Sequence, residues 1–330
     1  MKVLIIRFGS IGGIVLTTPV VRCLKNVDGL NAEIHYATKV AFAGLLTKNP
    51  YVDMVHTLDD RGLWNLIRRL RNEKFDYVID LHNNQRSLLI KLMLGKPYRS
   101  FKKLNTEKWL LTRFKINRLP DTHIVDRYLK AAAFLGVVND EKGLDYFLTP
   151  ESQIMPESIP SPFIKDYIAF GIGGKHATKR LPNEKIIDIC QGLDKQVILL
   201  GGMEDADNGD IIATACADKV FNACGKLTLD QTAFVLSMAA KVITHDTGMM
   251  HIATAFNKPV ISIWGNTVPA FGMYPYMPGQ THRSKIVEVE GLSCRPCSKI
   301  GYNSCPKGHF DCMNKIDIQQ IVEQSKVRNP

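Results

Sequence analysis

The chain has 330 residues, of which 45% are apolar and 22% charged, with 24 Gly, 16 Pro and 8 Cys. That length predicts about two domains, and the composition is that of a globular chain whose core needs no disulfide staples; disorder, collagen and small cystine-rich scaffolds are excluded. A formal net charge of +10 points to an anionic partner, and the apolar runs fall far short of the roughly 18 residues that a membrane-spanning helix requires.

The N-terminal MKVLIIRFG has one basic residue before a short apolar run that Arg7 ends. A secretory h-region needs about 7 to 15 residues, so this segment reads as the first buried strand of a cytoplasmic protein. Lys2 to Phe8, Glu33 to Tyr36, Met54 to Leu58 and Tyr77 to Leu81 are strand-like runs separated by amphipathic stretches. Such alternation predicts a parallel sheet covered by helices on both faces.

The first strand leads into Gly9-Ser10-Ile11-Gly12-Gly13. Glycines there either let the backbone approach a ligand or serve only a tight turn. The dinucleotide fingerprint G-x-G-x-x-G is not matched, and the second strand ends in Ala37-Thr38-Lys39 with no carboxylate, which argues against a nicotinamide enzyme. Pro19 is expected in the first turn of the following helix, because an interior proline would cost about 3 kcal/mol.

Between Arg86 and Lys130 twelve basic residues stand against Glu107, Asp121 and Asp126. Charge concentrated in the middle of one domain suggests nucleic acid, phospholipid or an acidic glycan as partner; solvated, lysine-rich helix faces are the plainer alternative. The rhythm of strands and helices then breaks at Leu148 to Pro162, where four prolines and no sustained periodicity predict a linker. We therefore expect domains at 1–150 and 151–315, followed by a helix from Asp317 to Val327.

Alternation resumes with strands at Tyr167 to Phe170, Gln196 to Leu200, Val242 to Thr244 and Pro259 to Ile263. Helices are expected at Asn183 to Leu193, Asp205 to Cys216, Thr228 to Ser237 and Gly248 to Phe256. Two successive open α/β sheets follow, and ligands of such sheets bind outside the carboxyl ends of the strands, so two facing sheets imply a site in the cleft between them. Gly171 to Gly174 followed by Lys175, Thr178, Lys179 and Arg180 joins backbone donors to fixed cations, which suits a phosphate ester, although no Walker loop is matched. Glu204, just past a strand, could accept two ribose hydroxyls or be ordinary helix N-terminal acidity. Asp246 and Thr247 precede a helix beginning near Gly248, where free N–H groups bind anions. Together these motifs are most economically a nucleotide diphosphate site.

Cys23, Cys190, Cys216 and Cys224 read as buried small hydrophobes. Cys294, Cys297, Cys305 and Cys312 lie within 19 residues with His309 among them, and read as a loop of packed thiols or, alternatively, as a structural zinc site.

In combination these segments resemble glycosyltransferase family 9, the ADP-heptose:lipopolysaccharide heptosyltransferases. The resemblance is carried by Ile5-Ile6-Arg7-Phe8 through Thr17-Thr18-Pro19, Thr178 to Pro182, Leu199-Leu200-Gly201-Gly202 with Glu204, Asp246 to His251, Lys258-Pro259-Val260, and the run with Cys305-Pro306-Lys307-Gly308-His309. It implies a GT-B fold of two Rossmann-like doubly wound domains facing a central cleft, with residues 316–330 packing back on the first domain. It also implies an inverting transfer without metal or cofactor, from ADP-heptose to a phosphorylated lipid A core acceptor at the inner-membrane surface. On the matching positions Thr178, Lys179, Thr247 and Gly248 would hold the phosphates, Glu204 the ribose, and Asp246, with His251 nearby, the heptose or its phosphates. The acceptor would meet Gly12, Asp80, His82, Arg86, Arg99 and Arg127, and the basic stretch interleaved with Trp109, Leu110, Leu111 and Phe114. No recognisable nucleic-acid-binding module accompanies the charge.

One position departs from the family pattern. The first loop usually reads Ser-Ile-Gly-Asp, with the Asp as general base, and here it ends in Gly13. Either another group, such as Asp80, His82 or Asp246, takes the proton, or the protein binds the sugar nucleotide without efficient transfer.

Overall fold

The computed structural model describes residues 1–153, 155 and 157–326. It divides into two compact units, Met1–Lys103 with Thr122–Phe147, and Leu104–Asp121 with the chain from Leu148 onward.

The first unit is built on five strands, β1 (Lys2–Ile6), β2 (Glu33–Lys39), β3 (Met54–Leu58), β4 (Tyr77–Asp80) and β5 (Tyr98–Ser100), in the order β3-β2-β1-β4-β5. Every pairing is parallel. β1 is central, and Val3 to Ile6 are wholly buried, which is why this strand is an unbroken apolar run. The helices are α1 (Ile11–Val15), α2 (Thr18–Lys25), α3 (Gly62–Asn72), α4 (Gln85–Leu94) and, after α5 (Asn105–Phe114) of the second unit, α6 (Ile124–Ala132). Pro19 occupies the first turn of α2 as expected. α4 opens with a capping box between Asn84 and Ser87 and closes at Gly95, whose φ of +61° is the left-handed conformation that glycine adopts without a Cβ penalty. Arg22 of α2 is buried; its Nε donates to Asp140 at 2.7 Å and Nη2 donates to the Gly143 carbonyl at 2.8 Å, tying down the chain that leaves α6.

The second unit carries β6 (Ile168–Gly171), β7 (Val197–Leu200), β8 (Val220–Asn222), β9 (Lys241–His245), β10 (Val260–Trp264) and β11 (Ser284–Glu288), all parallel, in the order β11-β10-β9-β6-β7-β8. Its helices are α7 (Asn183–Gly192), α8 (Ala206–Ala215), α9 (Leu229–Met238), α10 (Gly248–Ala255), α11 (Asp311–Asn314) and α12 (Ile318–Lys326). The chain leaves β6 toward β7 and β8, then returns to β9 on the opposite side of β6. The switch point, where ligands of such sheets collect, therefore lies at the carboxyl ends of β6 and β9.

The alternation of strand and helix predicted from sequence is the one found, with β5, β8 and β11 added at the sheet edges. The boundary expected at 150 falls at Phe147, where the proline-rich segment starts; Ile154 and Pro156 of that segment lie outside the described residues, as does Val327 of the closing helix. Two expectations are corrected. The basic stretch does not belong to one domain, because Leu104–Asp121 joins the second unit. α12 packs against α7, β10 and β11 of the second unit, where the resemblance had it return to the first. Among the described residues no helix is long and apolar enough to cross a membrane.

Candidate functional site

Most of the residues expected to hold the donor gather around the switch point of the second sheet. β9 delivers Asp246 just past its carboxyl end, buried, and Lys179 reaches it from the loop after β6, with Nζ 2.5 Å from Asp246 Oδ2 and 3.2 Å from its carbonyl. Thr267, just past β10, donates to the same Oδ2 at 2.8 Å. Thr247 is the N-cap of α10, and its side chain makes no capping bond. The first-turn amides of α10 and the Lys179 ammonium thus present positive potential at one place, which suits a diphosphate. His251, one turn into α10, is buried with Nδ1 unpartnered among the described residues. Burial holds its pKa near about 4, with Lys179 adding to the effect and Asp246 opposing it, so the ring is neutral at pH 7.

Two other donor-site expectations land differently. Glu204 lies exposed in the turn after β7, its carboxylate folded back over Gly202. Its neighbour Asp205 is buried, accepts from Gly202 N at 3.0 Å and pairs with Arg180 at 3.0 Å. Thr178 is also buried, and its hydroxyl accepts from Tyr302 N at 2.8 Å and donates to the Tyr302 carbonyl at 3.2 Å. That hydroxyl therefore anchors the cysteine-rich loop, which corrects its reading as a phosphate ligand.

In the first unit Gly12 and Gly13 are buried in α1, beside the carboxyl end of β1. The space in front of Gly13 is filled: a Cβ there would collide with the Arg7 guanidinium, whose Nη1 donates to the Leu81 carbonyl at 2.8 Å and which lies 5.7 Å over the Tyr128 ring. Asp80 ends β4 wholly buried, 2.7 Å from the equally buried Lys91 Nζ, and its Oδ1 accepts from the amides of His82 and Asn83 at 3.0 and 2.7 Å. A carboxylate so committed organises the turn after β4, which corrects its candidacy as a substitute base. His82 is different. Its Nδ1 has no hydrogen-bond partner among the described residues, its ring meets Phe8 edge-on at 5.5 Å, and burial, followed by Arg7, lowers its pKa to about 4.

The remaining basic candidates divide. Arg86 and Arg99 are exposed, the latter stacked on Phe134 at 5.4 Å, whereas Arg127 is buried in α6. α5 exposes Trp109 and Phe114, whose rings meet edge-on at 5.1 Å, and Ile116 follows exposed beside Arg113, Lys115 and Arg118. Lys115 Nζ also donates to the carbonyls of Cys294 and Pro296, at 3.2 and 2.7 Å. Cys294, Cys297, Cys305 and Cys312 line one small pocket, together with Thr178, Asn266 and Phe310. All four are free thiols, and burial raises Cys312 to about 12. Among the described residues no three of them bring their sulfurs within 4.8 Å of one another.

Sequence reasoning did not find Thr267, Arg7, or the group formed by the buried His35 and His56 with the half-buried Glu73. Thr267 was detectable in principle, as a hydroxyl just beyond a predicted strand of the same sheet as Asp246.

The fold is of the GT-B type, as two similar solved structures show. A family 9 glycosyl transferase from Veillonella parvula superposes with a TM-score of 0.79 at 21% identity, over 98% of this chain and 96% of its own. The Escherichia coli ADP-heptose lipopolysaccharide heptosyltransferase II does so with a TM-score of 0.71 at 20% identity, over 98% and 97%. At the level of sequence the profile of glycosyltransferase family 9 (heptosyltransferase) matches residues 63–304, and the chain belongs to that family. Among curated relatives, lipopolysaccharide heptosyltransferase 2 of Escherichia coli K12 is 23% identical over 278 residues, 77% of this chain and 76% of the relative.

Proposed function

We propose that the protein transfers a heptose from ADP-heptose to an inner-core acceptor of lipopolysaccharide, with inversion and without a metal ion. The observation that carries this reading is the Lys179, Asp246 and Thr267 constellation beside the α10 N-terminus, at the switch point of the second sheet. Membership of family 9 and the named donor and acceptor of the relatives support it. In the reaction an acceptor hydroxyl attacks the anomeric carbon, the bond from that carbon to the phosphate oxygen breaks, and ADP leaves with the electron pair. Lys179 and the α10 amides stabilise the charge that builds on the departing diphosphate, and we assign the ribose hydroxyls to Glu204.

The hydroxyl proton needs an acceptor that Gly13 cannot be. His82 Nδ1 takes this role in our reading. A pKa of about 4 gives its neutral ring the proton affinity of an ordinary carboxylate, the group it would replace. Arg86, Arg99 and Arg127 serve the acceptor's phosphates. α5 contributes contact with the cytoplasmic face of the inner membrane: tryptophan and phenylalanine beside arginines suit the headgroup region of an anionic bilayer.

Gly13 favours a second reading, a sugar-nucleotide binder with feeble transfer. One experiment separates the two: labelled heptose is offered as ADP-heptose with a lipid A core acceptor, and ADP binding is measured in parallel. Transfer supports the first reading, binding without transfer the second, and absence of ADP binding removes both.

A further inference from the structure

On the first sheet, the face covered by α3 holds a group of residues that neither donor nor acceptor chemistry uses. His35 of β2, His56 of β3 and Glu73 at the end of α3 direct one ligand atom each toward a common point, all within 4.8 Å of one another. His35 Nδ1 lies 2.9 Å from His56 Nε2 and 3.9 Å from Glu73 Oε2. Ligand atoms about 2.1 Å from a tetrahedral metal ion stand about 3.4 Å apart, so the two observed separations bracket the spacing that an ion imposes. Both imidazoles are buried, and the Phe75 ring meets them edge-on at 5.2 and 6.2 Å.

The surroundings are those of a ligand set as well. The other nitrogen of His35, Nε2, is 2.8 Å from Glu33 Oε1. A carboxylate on the far nitrogen holds the proton there, frees the Nδ1 lone pair and fixes the ring, as outer carboxylates do for metal-bound histidines. The cationic neighbour is Lys2, whose Nζ sits 3.1 Å from Glu73 Oε2 and 3.3 Å from Glu33 Oε1. Lys2 can keep Glu33 when an ion takes Glu73.

We propose that His35, His56 and Glu73 bind a divalent first-row transition-metal ion of the zinc type, with water completing the coordination. Two imidazoles and one carboxylate select such ions over magnesium or calcium, which prefer oxygen ligands. The ligands come from β2, β3 and the end of α3, and His35 lies toward the amino-terminal end of its strand, opposite the edge where open α/β sheets bind substrates. The ion therefore clamps α3 to the sheet and takes no part in transfer.

The test uses the full chain, stripped with chelator and carrying Cys294→Ser and Cys297→Ser to disable the cysteine-rich loop, with zinc chloride alone as probe. One equivalent is expected to bind and to raise the thermal midpoint. His56→Gln should weaken binding at least about 100-fold and abolish the shift, while Lys2→Met, which removes the competing cation, should tighten it. Cobalt in place of zinc should give d–d bands without a thiolate charge-transfer band. The proposal is overturned if the parent binds no zinc, if His56→Gln and Glu73→Gln bind it as tightly as the parent, or if cobalt reports thiolate ligation.

Discussion

The guanidinium of Arg7 occupies the space that a side chain at Gly13 would need. In our reading of Gly13 as the position of the family's aspartate, a cation thus rests where the anion would stand. Because the colliding atoms are the far end of a flexible side chain, Gly13→Asp should fold, with Arg7 swinging aside to pair with the new carboxylate. A general base contributes about 10²- to 10⁴-fold, so His82→Gln should lower kcat/KM by an amount in that range. Gly13→Asp added to His82→Gln should restore most of the loss. Steady-state kinetics of the four proteins decide the matter: equal rates for the parent and His82→Gln would remove His82 from the mechanism.

Lys179→Ala strips the nearest cation from Asp246 and from any phosphate bound at α10. A charge-assisted bond of about 1.5–3 kcal/mol corresponds to a 10- to 100-fold loss of ADP affinity. AMP should lose less than ADP if Lys179 holds the distal phosphate. Calorimetric titration of both nucleotides measures the ratio, and an unchanged preference for ADP would place the diphosphate elsewhere.

Trp109→Ala with Phe114→Ala removes the exposed aromatic pair of α5. Sedimentation with anionic vesicles should fall several-fold for this variant, while ADP affinity stays that of the parent. Arg113→Gln with Arg118→Gln should act mainly by reducing the dependence of vesicle binding on salt. Vesicle binding that ignores all four residues would shift the membrane contact away from α5.

Acid should destabilise the second unit through His245 and His251. Burial holds both near about 4, below the unfolded value of 6.5, so the unfolded chain binds more protons between those limits. Their contribution is whole above pH 6.5 and is lost as pH falls toward 4, at up to about 1.4 kcal/mol per pH unit for each ring. His245 Nε2 accepts from the Leu181 amide at 3.0 Å, a bond that protonation destroys. Urea midpoints measured from pH 7 to pH 4.5 should decline, and less steeply for His251→Asn; parallel declines would exclude His251.

The two sheets were readable in the sequence because their central strands are buried on both faces and so appear as apolar runs, as in Val3 to Ile6 and Val197 to Leu200. β5 and β8 escaped because they are three-residue edge strands, Tyr98 and Arg99 of β5 looking outward, and β11 because this edge strand buries only Val287 and so shows no apolar run. That Lys179, Asp246 and Thr247 meet was legible because loop and helix follow their strands directly. Asp80 misled for the opposite reason: its partner Lys91 lies in the next helix, within a stretch that reads as solvated charge. The His35, His56 and Glu73 group has no motif, since its members come from three elements and meet only when β2 pairs with β3 and α3 folds across them.

The membership of α5 in the second unit has a consequence for how the chain matures. Lys115 reaches carbonyls 179 and 181 positions further on, and Lys108 lies over the Phe271 ring at 5.8 Å. A ribosome adding roughly 5–20 residues per second delivers those partners about 10–40 s after α5 itself. For most of that interval the segment bearing Trp109, Leu111 and Phe114 is outside the tunnel without these partners. A nascent chain halted between Phe147 and Phe271 should therefore be the form most in need of a chaperone or a lipid surface.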